Sequence, residues 1–344
     1  MRELIVKEAG EKVLELIESH FQVDNKDTLV VSTTTAFNIE KQRAKEFHNI
    51  VNLKRMNDMR RINKFLEAVN AKLEMGGIFI IGVETYSLRK RRIFKKFPPI
   101  INAIYYFFDF LFKRVSPKLW GVKKIYFALT GGRNRVLSNA ESLGRLYSCG
   151  FKLIEDKFIN GQLYYVVEKV GEPAFDYNPT YGPIISLNRY GKNAKLIKVY
   201  KMRTMHAYSE YLQSYVYENN DLDEGGKFKN DFRVTTLGKI LRKFWLDELP
   251  MLINLLKGDM KLFGIRPLSK QYYNLYNEEL RERRIKYKPG LVPPFYVDMP
   301  KTLEEIMESE KKYLDLYDKN PFLTDWKYFW KAFQNIVFKK ARSK

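Results

Sequence analysis

The sequence is short of several things. It holds one cysteine in 344 residues, Cys149, which excludes an internal disulfide framework and fits a reducing compartment. Cys149 stands among apolar neighbours in LYSCGF and reads as packing. There are three histidines, with no His or Cys pair at metal-ligand spacing, so no zinc site is expected. His206, beside AYSEYLQSY, reads as a surface residue. No run reaches the roughly 18 apolar residues of a spanning helix. That excludes a polytopic membrane protein and leaves surface attachment open. The first twenty residues, MRELIVKEAGEKVLELIESH, lack an apolar h-region and read as an amphipathic charged helix, not a secretory leader. No internal repeat and no low-complexity tract is visible.

Acids are in deficit too: 40 Asp+Glu against 61 Lys+Arg, a formal net charge of +21. Such an excess predicts an anionic partner, whether nucleic acid, anionic lipid or a phosphorylated substrate. Aromatics are abundant, with 23 Tyr and 24 Phe, and suit cores, ligand platforms and membrane interfaces alike. The hydrophobic share of 45% allows a real core, and the length suits about two domains.

Residues 1–170 alternate helical and strand patterns, as an α/β domain does. TLVVSTTTAF (28–37), HNIVNLKR (48–55) and IFIIGVET (78–85) read as strands. DMRRINKFLEAVNAKLEM (58–75) reads as a helix stopped by Gly76-Gly77. NAESLGRLYSCGF reads as a helix ending at Gly150. KLIEDKFINGQLYYVVEKV reads as a hairpin turning at Asn160-Gly161. The helix–Gly-Gly–strand run at 62–83 and CGFKLIEDKFINGQLYYVVEK at 149–169 resemble the C-terminal half of a class I, S-adenosylmethionine-type methyltransferase. No Gly-x-Gly loop follows an early strand, so the resemblance implies a Rossmann-like domain without the cofactor-binding half.

FPPIINAIYYFFDFLFKRVSPKLWGVKKIYFAL (97–129) interrupts that pattern. Pro98-Pro99 can open a helix, Ser116-Pro117 breaks it, and a second apolar helix can follow. From Tyr86 to Arg135 there are 13 Lys and Arg and one acid, Asp109. A short aromatic helix flanked by cations suits the membrane interface, and it is too short to cross. Phe97, Ile100, Ile101, Tyr105, Phe108 and Phe112 are the candidate membrane contacts. A core helix or an interdomain contact is the alternative.

GEPAFDYNPTYGP (171–183), rich in turn formers, reads as a linker. The expected organisation is an N-terminal Rossmann-like α/β domain at 1–170 carrying the 97–129 insertion, the linker, and a helix-rich α+β domain at 184–344. In that second part, YGPIISLNRYGKNAKLIKVYKMRTM (181–205) reads as two strands around Gly191. DFRVTTLGKILRKFWLDELPMLINLLKGDMKLFGIRPLS (231–269) and RRIKYKPGLVPPFYVDM (283–299) follow. Asp247 and Glu248 precede Pro250. A helix starting near that proline loses no hydrogen bond in its first turn, and a helix running through it is kinked there. Either way two acids meet a break, where freed N–H groups and a positive dipole end favour anions. Standing alone, DELP reads as an Asp cap with Glu in the first turn. The tail reads as two amphipathic helices separated by KNPFLTD, with Thr324 or Asp325 as cap. Trp326, Phe329, Trp330 and Phe333 share a helix face expected to pack in the core, with a membrane or partner contact as the alternative.

In order, Arg189, Gly191, Lys195, Lys201, Arg203, Arg233, Gly238, Arg242, Asp247, Glu248, Pro250, Asn254, Gly258, Asp259, Gly264, Arg266, Pro267 and Lys288-Pro289-Gly290 resemble the catalytic domain of the bacterial sugar transferases. These are the monotopic phosphoglycosyl transferases that begin capsule, O-antigen and exopolysaccharide assembly. The resemblance covers about a third of the chain. Ile265 replaces the family's proline before Arg266, and VPP follows Gly290 and its leucine where Thr-Gly is usual. The family's membrane hairpin, normally just before the strand pair, gives way to a polar linker, so the 97–129 segment is the candidate replacement.

The resemblance implies that Asp247 attacks the sugar-bearing phosphate of a nucleoside-diphosphate sugar, a UDP-sugar first of all. A polyprenol phosphate then takes the phosphosugar from the aspartyl intermediate. A carboxylate nucleophile needs no proton removed. Mg²⁺, with Glu248 as ligand, is the expected means of neutralising the diphosphate. Lys201, Arg203, Arg266, Arg233 and Lys288 are the candidate phosphate or nucleotide contacts. Peripheral or monotopic attachment at the cytoplasmic face of the inner membrane is expected, with no nucleic-acid partner. A basic nucleic-acid-binding protein and a non-catalytic scaffold are the rival readings. No zinc-finger, RRM or basic-helix motif supports the first.

Overall fold

In the computed structural model, residues 1–42, 46–176, 181–219, 222–223, 227–228 and 231–338 are described. The chain divides into two compact units: Met1–Gly182 with His206–Glu218, and Pro183–Met205 with Asn219–Lys344. The segment 206–218 therefore clusters with the first unit, where a boundary at 184 assigns it to the second.

The first unit is a Rossmann-like α/β layer. Its strands are β1 (Thr28–Val31), β2 (Phe47–Asn52), β3 (Leu73–Val83), β4 (Phe151–Ile159) and β5 (Gln162–Lys169), in the order β1-β2-β3-β5-β4. The pairs β1–β2 and β2–β3 are parallel, while β5 runs against both β3 and β4. Four strands thus share a direction, and the β4–β5 hairpin inserts the fifth against them. It turns at Asn160 and Gly161, both at positive φ, as a two-residue hairpin of right-handed twist requires. Helices Ile62–Lys72 and Asn139–Ser148 are both largely buried against the rest of the unit. Cys149 is buried among them, and burial pushes its thiol up to about 12.

Three local readings need correction. Gly76-Gly77 does not stop the helix, which ends at Lys72; β3 starts at Leu73 and runs through both glycines. Glycine inside a strand marks an irregularity, and the β2–β3 register shifts between Phe47 and Asn49. The N-terminal helix is two helices, Arg2–Ala9 and Glu11–Glu18, separated by Gly10 at φ 92°. His206 is half-buried rather than a surface residue. Its ring lies against Tyr86, and its Nδ1 is 3.2 Å from an Arg114 nitrogen. Burial and that guanidinium pull its imidazole down to about 3.

The insertion forms helix Ile101–Phe110, a π turn at Leu111–Val115, a 3-10 turn at Ser116–Lys118 and helix Val122–Thr130. The first helix is inside out. Its polar members, Asn102 and Asp109, are buried, and Asp109 receives a bidentate bond from Arg89 at 2.6 and 2.8 Å. Most of its apolar members point to solvent. Ile100, 75% exposed, Ile101, Tyr105, Phe108 and Phe112 are all open, whereas Phe97 is half-buried against the Tyr105 ring. Ile104, Phe107 and Leu111 extend the open surface. This is not a core helix, because a core helix turns its apolar stripe inward. Among the described residues no helix is long and apolar enough to cross a membrane.

The second unit is helix-rich α+β. Strands β6 (Ile184–Tyr190) and β7 (Leu196–Met202) form an antiparallel hairpin. Lys261–Phe263 pairs in parallel with Gly290–Val292. Helices Leu303–Lys319 and Pro321–Val337 close a core that includes Phe263, Ile265, Tyr276, Tyr296, Tyr313 and Tyr328. The last helix is capped by Asn320, whose side chain accepts from the Leu323 N–H at 3.1 Å. Thr324 instead donates to the Leu316 carbonyl. Tyr328, Ala332 and Asn335 form the inner face; Trp326, Trp330 and Phe333 are exposed, and only Phe329 of that expected set packs on the core. The expected core face is therefore mostly an outer face.

Candidate functional site

Helix Thr236–Lys243 ends at Phe244, and Trp245 follows in the left-handed region at φ 61°. That reversal starts a new segment, a 3-10 run over Leu246–Met251 leading into helix Leu252–Leu256. Asp247 and Glu248 stand in its first turn, ahead of Pro250. Of the two geometries that the sequence allows, the structure adopts the fresh start.

Motif residues around the acids set the backbone. Asn254 is fully buried and bonds β7 at both ends of its amide, accepting from Tyr200 N–H at 3.1 Å and donating to Lys198 C=O at 2.7 Å. This clamps the acidic segment to the strand carrying Lys201. Gly238 is needed because a β-carbon there would stand 2.0 Å from the Thr204 carbonyl oxygen.

Glu248 accepts a hydrogen bond from Lys201 Nζ at 2.7 Å. It also lines a cavity of about 80 Å³ with Arg189, Lys201, Arg266, Pro293 and Tyr296 among others. Burial and the neighbouring Arg266 pull the Arg189 guanidinium below its ordinary value. Two guanidiniums and an ammonium facing one carboxylate suit an anionic group. The backbone under Arg266 is held by Arg284, which donates to the Arg266 carbonyl at 2.7 Å and pairs with buried Glu310. This support was not legible in the sequence, because Arg284 and Glu310 lie far apart along it.

Asp247 is half-buried. Among the described residues no other side chain bonds its carboxylate. Burial, and then the Glu248 charge, raise it above the usual aspartate value; Lys201 and Arg242 act against that rise. Arg242 donates to Thr204 Oγ1 at 3.0 Å.

The remaining expected contacts are placed differently. Arg203 is half-buried and its N–H closes the hairpin on the Pro183 carbonyl at 2.6 Å; it does not line the cavity. Arg233 is 4% exposed and forks onto Asp231 at 2.7–3.1 Å, so it is a structural ion pair rather than an open phosphate ligand. Lys288 is exposed beside the Gly258 turn, also away from the cavity.

Among the described residues no group of three His, Cys, Asp or Glu side chains could hold a metal ion. A Mg²⁺ completed by substrate oxygens and water needs only one or two carboxylates. Asp247 and Glu248 fit that requirement. A second surface adjoins the acids: Leu237, Ile240, Phe244, Leu249, Leu252 and Leu256 are exposed, Leu256 at 90%.

Residues 177–339 match the family model described as bacterial sugar transferase. The chain is 35% identical over 140 residues to a protein from Streptococcus agalactiae named galactosyl transferase CpsE, covering 39% of this chain and 31% of that one. It is 35% identical over 134 residues to an undecaprenyl-phosphate galactose phosphotransferase from Salmonella typhimurium, covering 38% and 26%. It is 40% identical over 113 residues to a UDP-glucose:undecaprenyl-phosphate glucose-1-phosphate transferase from Klebsiella pneumoniae, covering 32% and 22%. The chain spans less than a third of the length of these three relatives. Among solved structures, a Thermus thermophilus 16S rRNA methyltransferase aligns over 58% of this chain and 39% of that one, at 11% identity and a TM-score of 0.19. That likeness is too slight to inform the fold.

Proposed function

We propose that the chain is a membrane-associated phosphoglycosyl transferase that moves a phosphosugar from a nucleoside-diphosphate sugar to polyprenol phosphate, starting capsule, O-antigen or exopolysaccharide assembly. The observation that carries the reading is Asp247: a half-exposed carboxylate that no other described side chain bonds, beside the Glu248–Lys201 pair, in a region that matches the sugar transferases.

An Asp247 carboxylate oxygen attacks the phosphorus that bears the sugar. The bond from that phosphorus to the nucleoside phosphate breaks, and the nucleoside monophosphate leaves with the electron pair. A polyprenol phosphate oxygen then attacks the same phosphorus and returns the Asp247 carboxylate. Arg189, Lys201 and Arg266 hold phosphate oxygens, Arg in bidentate fashion. Mg²⁺, when bound at Glu248, would supply charge neutralisation of the diphosphate. The 80 Å³ cavity takes an anionic group, and the sugar and nucleoside extend outside it. The open apolar surface by Asp247 suits a polyprenol tail. The inside-out helix at 101–110 suits the interface of the inner membrane's cytoplasmic face.

The test supplies polyprenol phosphate, Mg²⁺ and a panel of UDP-sugars, and follows UMP. Release that depends on both substrates is expected, and Asp247→Asn reduces it by at least about a thousandfold while the protein stays folded. Undiminished release by Asp247→Asn removes Asp247 from the nucleophile role.

A further inference from the structure

The first unit contains a cavity of about 910 Å³ that the phosphosugar transfer does not use. Ten Lys and Arg side chains line it, against one carboxylate, Glu141. Arg60, Lys64, Lys123 and Lys124 are exposed around it. Arg114 and Arg145 are buried, and Lys118 stands beside them.

These last three cations converge on Glu141. Arg114 and Lys118 bond one carboxylate oxygen, Lys118 at 2.8 Å, and Arg145 bonds the other at 3.0 Å. With Lys118 protonated, three positive charges less one negative leave an excess of two in a buried place, where unbalanced charge is costly. Burial, and then Arg114, pull the Lys118 ammonium down to about 7. Donors are left over as well. The Nε atoms of Arg145, itself 4% exposed, and of Arg135 are buried without an acceptor. Buried donors of this kind are normally satisfied, so both the charge and the hydrogen bonding leave room for an anion.

The same wall is amphipathic. Helix Val122–Thr130 carries Lys123 and Lys124 at the cavity, while its Ile125 and Leu129 are open to solvent. Trp120, which lines the cavity, is 99% exposed. An anion with an apolar tail satisfies both features, and a purely soluble phosphoester satisfies one.

We propose that this cavity takes the phosphomonoester headgroup of an anionic lipid, with its chains lying against Trp120, Ile125 and Leu129. A monoester carries close to two charges and three acceptor oxygens, which matches the surplus of cations better than a diester does. The proposal rests on the membrane reading of the insertion, and its test separates the two.

The full chain is floated with vesicles of phosphatidylcholine alone, or containing phosphatidic acid or a charge-matched amount of phosphatidylglycerol, at physiological salt. The wild type is expected to bind all three and to prefer phosphatidic acid over phosphatidylglycerol by about tenfold. Lys64→Gln/Lys123→Gln/Lys124→Gln, all at exposed positions, is expected to fold and to lose that preference while keeping its binding to phosphatidylcholine. Arg145→Lys, which retains charge but not the fork, is expected to reduce the preference with unchanged salt dependence. Equal binding of both anionic vesicles, or a triple variant that keeps the preference, overturns the proposal and leaves the membrane reading standing. Failure to bind any vesicle overturns both. Inorganic phosphate, UDP and a short RNA are titrated without lipid. Saturable binding of any of them as tight as that of phosphatidic acid vesicles, lost in the triple variant, overturns the lipid assignment in favour of a soluble partner.

Discussion

Glu141 in the first unit and Asp247 in the second are both acids in cationic surroundings, and they end in opposite states. Glu141 is buried, and Arg114, Lys118 and Arg145 use both its oxygens. Although its burial acts the other way, those three cations hold it well below the usual glutamate range. Asp247 is half-exposed, bonded by no other described side chain, and raised by burial and by Glu248. A carboxylate with both oxygens bonded by cations is a structural anion, whereas one kept near cations without bonding them has the free oxygens that the proposed nucleophile needs. Nearby positive charge does not by itself distinguish the two roles; the hydrogen bonds do.

Neutralising each acid sharpens that contrast most. Glu141→Gln leaves buried cations without their anion and is expected to cost about 3–5 kcal/mol, read from urea unfolding of the first unit. Asp247→Asn is expected to cost no stability, because the fold disfavours the charged form that it removes. Equal losses would break the comparison. A smaller effect lies in the acid limb of the pH–rate profile. In the proposed reaction Asp247 attacks as the carboxylate, so activity is expected above its pKa and lost as pH falls through it. Removing the Lys201 charge raises that pKa, so Lys201→Gln moves the limb to higher pH. Removing the Glu248 charge lowers it, so Glu248→Gln moves the limb to lower pH in whatever activity remains. Movement in the reverse directions would contradict the placement of these charges around Asp247. The smallest expected effect is at the outer face of the last helix, where Trp330→Ala changes stability by about 0.5 kcal/mol or less in the same urea assay.

Where local chemistry decided the structure, the sequence was legible. The Asn160-Gly161 turn, the β6–β7 hairpin around Gly191 and the break before Pro250 each follow from residues adjacent in the chain. The strand through Gly76-Gly77 was not legible, because pairing with β2 and β5 outweighs the local helix-stop signal. The partial burial of His206 involves Arg114, 92 positions away. Trp326 and Trp330 show why periodicity misleads: the helix has a second stripe, Tyr328, Ala332 and Asn335, and the core chose that one. At the site, Glu248, Lys201 and Arg266 line one cavity, and Asp247 stands beside Glu248 without lining it. The Arg233–Asp231 pair could have been read from DFR, where the acid stands two residues before the base. The ten-cation cavity had only a diffuse signal in the cation-rich 86–135 stretch, since Arg60, Lys64 and Arg145 join it through the fold.

The most direct measurement is a rapid-quench reaction with a UDP-sugar and Mg²⁺ but no polyprenol phosphate, followed by peptide mass spectrometry. A phosphosugar mass on the peptide containing Asp247, absent in Asp247→Asn and discharged by polyprenol phosphate, is the predicted result. UMP release at the full rate with acceptor present, but no adduct on Asp247 at any time point without it, would contradict the account.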